Sequence, residues 1–406
     1  MLQLGNDEQW LPVDEMLAVM PITILIVDDS EVIRFLFTKS LERDPDLRVI
    51  GTASNGLEAI AMAKKYQPDM VLLDIEMPQM DGLTALPSIL SVSRESKVFI
   101  ISGNSRDSAA KAITSLSHGA SEFILKPGST GALPSLEFHE ELRTKIKAIA
   151  RPKARGAESS NEAPATLSQS AAIPAPQKQL SPVTALRKPF VHPPARSETA
   201  APAPALQPAK QTEISAIAIA SSTGGPEALM QLFADLKGRL MHLPIFVTQH
   251  MPPLFTAALA DQIARHSNRP CREAVDGEKV APGMVYIAPG GYHMLVRVIA
   301  GSTLIQLTQT PPVNSCRPSA DPMFASISHV YGRNTLGIVL TGIGTDGCQG
   351  ARAILDHGGS VIAQDKASSV VYGMPKTVAE AGLCEAIVPI GEMANSMARR
   401  CGLRYA

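Results

Sequence analysis

The chain has 406 residues, too many for one ordinary hydrophobic core, so we expect two or three folding units. Its 37 Lys and Arg nearly balance 38 Asp and Glu, giving a formal net charge of -1, and aromatic residues make up 4%. That composition argues against nucleic-acid binding, which needs basic surfaces or stacking platforms. The sequence has no basic, apolar leader and no run of 18 apolar residues, so we expect a cytoplasmic protein without membrane insertion.

The front half of the chain alternates short apolar runs with helical patterns. Residues 1–21 show no clear pattern and are interpreted as an N-terminal extension. Residues 22–147 contain continuous β-branched runs such as ITILIVDD and MVLLDIEM, each followed by an amphipathic stretch. Apolar strands between helices are typical of a parallel sheet covered on both faces, so we predict a doubly wound α/β domain.

The back half repeats this alternation after a change in composition. Residues 148–212 are rich in Pro and Ala and poor in large apolar side chains, which predicts a disordered linker. A Pro-rich ligand for a partner groove is the alternative. Residues 213–406 predict a second doubly wound α/β domain, with an antiparallel piece between residues 271 and 313. The five scattered cysteines predict reduced thiols rather than disulfides or a zinc site.

Acidic residues follow two strands of the front domain. Asp28 and Asp29 end the first strand and Asp74 ends the third, so the three carboxylates are expected at one edge of the sheet. Carboxylates that close repel one another unless a hard cation such as Mg²⁺ joins them. Ser102 and Lys126 end the fourth and fifth strands, where a hydroxyl and an ammonium would hold an anion bound at one acid.

With the stretches VDDS, DIEMPQMDG and FILKP, the front domain resembles the response-regulator receiver family. The resemblance implies that Asp74 is the phosphoacceptor and that the phosphodonor is a CheA-type histidine kinase. Phe123 would be an aromatic switch, although a core role fits its position equally well. The implied Mg²⁺ ligands are Asp28, Asp29, Asp74 and the main-chain carbonyl of Glu76, and the implied phosphoryl contacts are Ser102 and Lys126.

A hydroxyl, an imidazole and a carboxylate end three strands of the back domain. The turn SSTGG at 221–225 precedes a helix, His250 ends the next strand, and Asp346 follows a later one. Each alone is typical of a helix cap, a structural histidine or a turn-stabilising acid. Together, at one sheet edge, they form the set that activates a hydroxyl nucleophile at neutral pH.

A different interpretation comes from the glycines of the same region. Residues 342–347, GIGTDG, match the G-x-G-x-x-G pattern between a strand and a helix, with Asp365 closing the next strand. This is a fair dinucleotide-binding fingerprint. Against it, Asp346 would place a negative charge inside the turn that should receive a pyrophosphate.

The back domain also resembles the CheB family of chemotaxis methylesterases, through SSTGGPEAL, TQHMPP, TPPVNSCRPSAD, LTGIGTDG and VYGMPK. The resemblance implies cleavage of glutamate methyl esters on methyl-accepting chemotaxis receptors, with deamidation of receptor glutamines as a further activity and no cofactor in this domain. A non-catalytic, phosphorylation-switched adaptor is the alternative. The implied roles are Ser222 as nucleophile, His250 as base, Asp346 as orienting acid, and Thr223 and Ile343 lining the site near the oxyanion.

Several positions depart from the family pattern or are open. Ala220-Ser221 precedes the nucleophile where Gly-Ala is commoner, and Ile343 stands where Met is usual. The linker is longer than usual, which weakens the expected coupling of the domains. His293 is interpreted as a structural or rim residue rather than a second base.

Overall fold

The protein is described here by a computed structural model that covers residues 20–126, 136–150 and 213–402. Most of the predicted N-terminal extension and nearly all of the predicted linker lie outside the described residues. Within the covered ranges, no helix combines the length and the apolar character that crossing a bilayer requires.

The front domain is a five-stranded parallel sheet with the strand order β2-β1-β3-β4-β5. This confirms the predicted doubly wound fold. Its last helix ends at Ile149, two residues beyond the predicted edge of the domain. The elements are β1 (Ile22–Val27), α1 (Glu31–Leu41), β2 (Leu47–Ala53), α2 (Gly56–Tyr66), β3 (Met70–Asp74), α3 (Gly82–Val92), β4 (Lys97–Ser102), α4 (Arg106–Ser117), β5 (Glu122–Leu125) and α5 (Leu136–Ile149).

Local sequence explains where these elements begin. Strands β1 and β3 are buried along their whole length, because helices cover both faces of the sheet. Each of the first four helices starts after a polar side chain that accepts a hydrogen bond from an amide of the first turn, the usual N-cap arrangement. The four capping residues are Ser30, Asn55, Asp81 and Ser105.

The back domain is a seven-stranded parallel sheet with the order β14-β13-β12-β6-β7-β9-β8, plus an antiparallel hairpin of β10 and β11. The elements are β6 (Ala216–Ser221), α6 (Gly225–Asp235), β7 (Ile245–Gln249), α7 (Phe255–Ser267), β8 (Cys271–Glu273), β9 (Val285–Ile287), β10 (His293–Ile299), β11 (Ser302–Thr308), α8 (Ala320–Tyr331), β12 (Thr335–Val339), α9 (Cys348–Asp356), β13 (Ser360–Gln364), α10 (Met374–Glu380), β14 (Ala386–Val388) and α11 (Ile390–Arg400), with a 3-10 turn at Gly332–Asn334.

The predicted antiparallel piece is smaller than the sequence suggested. Among the named strands of the described residues, only β10 and β11 pair in antiparallel fashion, from His293 opposite Thr308 to Ile299 opposite Ser302. Strand β9, which the turn-rich sequence grouped with them, instead pairs in parallel with β7 and with β8. Helix α7 and the following chain carry the polypeptide back across the sheet, and this makes the parallel pairing possible.

Apolar residues of the front and back domains form one continuous core cluster through the contact of α4 with α6 and α7. At its centre the rings of Phe123 and Phe255 stack in parallel planes, with centroids 4.6 Å apart. Phe123 is 4% exposed. Gln262 on α7 also donates a 3.1 Å hydrogen bond to the Thr114 hydroxyl on α4.

Candidate functional site

The three front-domain acids lie together, as their strand positions suggested. One carboxylate oxygen from each of Asp28, Asp29 and Asp74 falls within 4.8 Å of the others, with Asp28 and Asp74 buried and Asp29 exposed. Lys126 Nζ lies 2.8 Å from Asp28 Oδ2 and 2.9 Å from Asp74 Oδ2. The lysine therefore bridges the two buried carboxylates.

Burial dominates the electrostatics of this cluster. It raises the pKa of Asp74 to about 6; the hydrogen bond from Lys126 opposes the rise, and the nearby charge of Asp28 adds to it. Burial likewise raises the pKa of Asp28. The three acids carry more negative charge than Lys126 alone offsets, and carboxylate oxygens are the ligands that a hard divalent cation prefers.

Ser102 and Glu76, the two other polar residues predicted at this site, make different contacts. The buried Ser102 hydroxyl donates a 3.0 Å hydrogen bond to the Ser108 carbonyl. To contact a phosphoryl group it would have to exchange this bond. The Glu76 side chain is exposed and faces Ser108 and Lys111, which leaves its main-chain carbonyl as the group proposed for a metal.

In the back domain, the predicted nucleophile, base and acid follow three adjacent strands. Ser222 follows β6, His250 follows β7 and Asp346 comes after β12, and β6 lies between the other two. His250 Nε2 lies 2.7 Å from Asp346 Oδ2. Ser221 pairs with Gln249 at the end of β6 and β7, and Ser222 and His250 are the next residue of each segment. Three segments distant in sequence therefore meet at one edge of the sheet.

The Asp346 carboxylate is held by one short segment, residues 314–321. Burial alone would raise the pKa of Asp346. The hydrogen bond and charge of His250, together with hydrogen bonds from this segment, instead hold that pKa below its usual range. The acid is therefore ionised and fixed in orientation. The donors are Asn314 Nδ2 (2.9 Å), the Ser319 hydroxyl (2.7 Å) and the amides of Ala320 (2.6 Å) and Asp321 (3.2 Å).

The histidine presents its other nitrogen to a cysteine. Cys316 Sγ lies 3.5 Å from His250 Nδ1. Burial would lower the pKa of His250, but hydrogen bonds to Asp346 and Cys316 outweigh burial and raise the pKa to about 9. Among the described residues, Ser222 Oγ makes no hydrogen bond to the imidazole. Since Nε2 is bound to Asp346, Nδ1 is the nitrogen that a Ser222 proton must reach.

Glycines bring the loop after β12 against the nucleophile. A Cβ at Gly342 would lie 2.8 Å from the Cβ of Ser222, so only glycine fits there. Next to it, Ile343 is half-buried, and its amide has no acceptor in the part of the chain that the structure describes. The His250 amide, by contrast, is bonded to the Ser221 carbonyl at 3.1 Å and is not free for an oxyanion. Thr223 is buried, and its carbonyl accepts from Thr341 Oγ1.

The remaining sequence candidates have structural partners. His293 is buried, accepting from the Ser319 amide at 3.2 Å and contacting the Pro311 carbonyl at 3.2 Å, which agrees with its structural interpretation. Asp365 binds the Ser368 amide and hydroxyl in a local turn. The ionised Asp346 lies inside the GIGTDG turn, where its negative charge would repel a pyrophosphate.

Sequence reasoning missed the partners supplied by residues 314–321. Asn314, Cys316 and Ser319 lie in the stretch TPPVNSCRPSAD, which was used only as a mark of resemblance. An Asn, a Cys and a Ser close together between two Pro residues give no periodic signal of their own. Only the path of the chain places them beside His250 and Asp346.

Comparison with known proteins decides the family. A protein-glutamate methylesterase/protein-glutamine glutaminase of Azospirillum brasilense is 42% identical over 376 residues, covering 92% of this chain and 91% of that protein. The chain belongs to the CheB methylesterase family. Residues 217–397 match the CheB methylesterase family model and residues 24–136 the response regulator receiver domain model. This confirms the resemblance inferred from the motifs.

Three further protein chains are similar to most or part of this chain. The protein of the same name from Rhodopseudomonas palustris strain BisB5 is 40% identical, covering 93% of this chain and 94% of that protein. The solved CheB methylesterase catalytic domain of Thermotoga maritima is 37% identical with a TM-score of 0.45, covering 46% of this chain and 99% of that chain. Its response regulator domain is 37% identical with a TM-score of 0.28, covering 31% and 94%.

Proposed function

We propose that this chain hydrolyses glutamate methyl esters on methyl-accepting chemotaxis receptors, and deamidates receptor glutamines, under control of phosphorylation. Family membership and the names of the relatives support the reaction class. The observation that carries the mechanism is the 2.7 Å His250–Asp346 pair next to Ser222, on neighbouring strand ends. Because the proposed substrate segments are cytoplasmic helices, we infer a cytoplasmic location.

In the proposed reaction, Ser222 Oγ attacks the ester carbonyl while His250 Nδ1 takes the hydroxyl proton. Asp346 stabilises the imidazolium through Nε2 and keeps the ring from turning. The Ile343 amide, which has no acceptor among the described residues, would donate to the oxyanion, and loss of one such donor costs roughly 100- to 1000-fold in rate. His250 then protonates the methoxide oxygen, so that methanol leaves, and a water molecule attacks the acyl-enzyme in the same way to release glutamate. For a glutamine substrate, ammonia leaves in place of methanol.

For the front domain, we propose that a CheA-type histidine kinase phosphorylates Asp74 with Mg²⁺ held by Asp28, Asp29, Asp74 and the Glu76 carbonyl. The ion supplies positive charge that offsets the phosphoryl oxygens. Lys126 already contacts the Asp74 carboxylate and would pair with the phosphoryl group. Ser102 would contribute a hydroxyl after releasing the Ser108 carbonyl.

The contact between the domains offers a route for control. Lys126 directly follows β5, and the first two residues of this four-residue strand, Glu122 and Phe123, touch the back domain at Gly224 and Phe255. Gly224 lies two residues after Ser222. We propose that the unphosphorylated front domain restricts the Ser222 site through this contact, and that a shift of Lys126 on phosphorylation loosens it.

Methanol release from methylated receptors tests the chemistry. We expect wild type to release methanol and Ser222→Ala to lose at least about 1000-fold, because removing a nucleophile leaves only binding and the oxyanion site. Ser221→Ala is the matched control, since the Ser221 hydroxyl is buried against Gln249 Oε1. Full activity in Ser222→Ala would refute the proposed nucleophile. Receptor binding with a Ser222 that does not react with a fluorophosphonate would favour the adaptor.

A further inference from the structure

A tight turn presents Cys316 to the catalytic histidine. Val313 and Cys316 form an antiparallel bridge with reciprocal hydrogen bonds of 3.1 and 2.9 Å. The two residues between them, Asn314 and Ser315, have φ values of 53° and 62°. Positive φ at both central positions is the mark of a type I′ turn, and it is costly for residues other than Gly and Asn. Such a turn persists only where its surroundings hold it.

The surroundings that hold this turn are the active-site carboxylates. Asn314 Nδ2 donates to Asp321 Oδ2 at 2.8 Å and to Asp346 Oδ1 at 2.9 Å. Asp321 is itself fixed by the Gly350 amide at 2.7 Å. The position of the Cys316 thiol is thus tied to the position of Asp346, and both face the same imidazole.

The result is a continuous cysteine, histidine and acid chain. Cys316 Sγ lies 3.5 Å from His250 Nδ1, and His250 Nε2 lies 2.7 Å from Asp346 Oδ2. This is the arrangement that activates a thiol: a base within reach of its proton, oriented by an acid. Cys316 is half-buried, so part of the residue is exposed to solvent.

The other four cysteines are in a different environment. Burial raises the pKa of the Cys384 thiol to about 11 and of the Cys401 thiol to about 12, and it also raises those of Cys271 and Cys348. Across residues 20–126, 136–150 and 213–402, only Cys316 hydrogen-bonds a histidine. The other four thiols, whose pKa values burial raises, therefore serve as an internal reference set.

We propose that Cys316 is a site of reversible oxidation by small uncharged peroxides, and that its oxidation blocks the esterase by occupying His250 Nδ1. The second part of this proposal, inhibition of the esterase, rests on the proposed function. Small reagents are favoured, because Cys316 is only partly exposed.

The chemistry of the step balances with hydrogen peroxide as the oxidant. His250 Nδ1 takes the thiol proton while the sulfur attacks one peroxide oxygen. An S–O bond forms, the O–O bond breaks, and the departing hydroxide takes the proton from His250 to leave as water. The sulfur is oxidised to a sulfenic acid, which a small thiol reduces again. The added oxygen lies between the turn and the imidazole, on the path of the Ser222 proton.

Site-resolved oxidation of the full chain tests the site. We expect trapping of sulfenic acid after hydrogen peroxide treatment to be about tenfold or more faster at Cys316 than at Cys384. His250→Gln should remove most of that advantage, because the amide cannot take the thiol proton. Equal rates at Cys316 and Cys384, or an unchanged rate in His250→Gln, would overturn the proposal. The rate of sulfenic acid trapping is measured without esterase activity, so its result does not depend on the proposed function.

Methanol release tests the block. Peroxide should remove the activity of the wild type in parallel with oxidation of Cys316, and dithiothreitol should restore it. Cys316→Ser should hold its own starting activity, whatever its level, through the same exposure, which excludes methionine oxidation as the cause. Cys384→Ser is the matched control and should lose activity like the wild type. Full methanol release from a chain oxidised at Cys316 would refute the block.

Discussion

The backbone amide of Gly224 donates a 3.3 Å hydrogen bond to the carboxylate of Glu122, a residue 102 positions away in the front domain. Gly224 is the N-cap of α6, and Glu122 accepts from its amide as an N3 side chain does in a capping box. Glu122 is 4% exposed, and burial raises its pKa. The front domain thus contacts the turn that carries Ser222.

Removing this carboxylate should release the esterase. In Glu122→Ala, the hydrogen bond to Gly224 is lost, and bonds to charged groups are worth about 1.5–3 kcal/mol. We therefore expect methanol release by the unphosphorylated chain to rise about tenfold or more, and stimulation by a small phosphodonor to shrink correspondingly. Glu42→Ala, an exposed acid of the same domain, is the control. An unchanged ratio of phosphorylated to unphosphorylated activity would contradict a role for the contact in control.

The Phe123–Phe255 stack should contribute to holding the two domains together. Stacked aromatic pairs contribute about 0.5–1.5 kcal/mol beyond the area they bury. A double-mutant cycle with Phe123→Leu and Phe255→Leu should show coupling of that size in the free energy of unfolding, because either change alone already removes the stack. Phe246 and Tyr286, stacked within the back domain, supply a comparison cycle. Strictly additive effects of the two substitutions would show that the ring contact adds nothing to the free energy of unfolding.

The pH dependence of the reaction should follow His250. Only the neutral imidazole can accept the Ser222 proton, and the pKa of His250 is about 9 in the resting chain. Accordingly kcat/KM should rise about tenfold per pH unit below that value and level off above it. Spontaneous ester hydrolysis is subtracted with Ser222→Ala. A flat profile between pH 7 and pH 9 would mean that another group, or a lower His250 pKa, governs the reaction.

Neutralising the acid should alter both rate and profile. In Asp346→Asn, the imidazolium loses its charged partner, so we expect kcat to fall by roughly 10⁴-fold. The inflection in the profile should also move to lower pH, because the hydrogen bond to Asp346 is the largest of the effects that raise the His250 pKa. Circular dichroism of the variant checks that the fold persists. A rate loss without a shift in the inflection would point to structural damage rather than to this pairing.

Removing metal should separate the two sites. Chelation with EDTA should abolish phosphorylation of Asp74 by a small phosphodonor, because the buried acid cluster needs a cation to accept a phosphoryl group. Basal methanol release should be unchanged, since the proposed esterase machinery is Ser222, His250 and Asp346. Asp74→Asn, which removes the phosphoacceptor, should respond to neither phosphodonor nor EDTA. Loss of basal activity in EDTA would instead indicate a metal in the back domain.

Much of the architecture could be predicted because its signals are local. Mainly apolar, fully buried strands such as β1 and β6 require helices on both faces, and this predicts parallel α/β sheets. The sequence does not separate strand β9 from the hairpin, because a strand of three residues between turns does not show whether it pairs in parallel or antiparallel. Its pairing with β7 depends on how the intervening chain crosses the sheet.

The sequence by itself determined which chemical groups lie at the strand ends, because parallel strands deliver their carboxyl ends to one edge. Only the tertiary structure decided how those groups face one another. In the structure, Nε2 of His250 contacts Asp346 and Nδ1 contacts Cys316. The Ser102 hydroxyl donates to a carbonyl, and the Glu122 carboxylate accepts from the Gly224 amide. Such contacts depend on ångström-scale distances between segments far apart in the chain, and no local pattern encodes them.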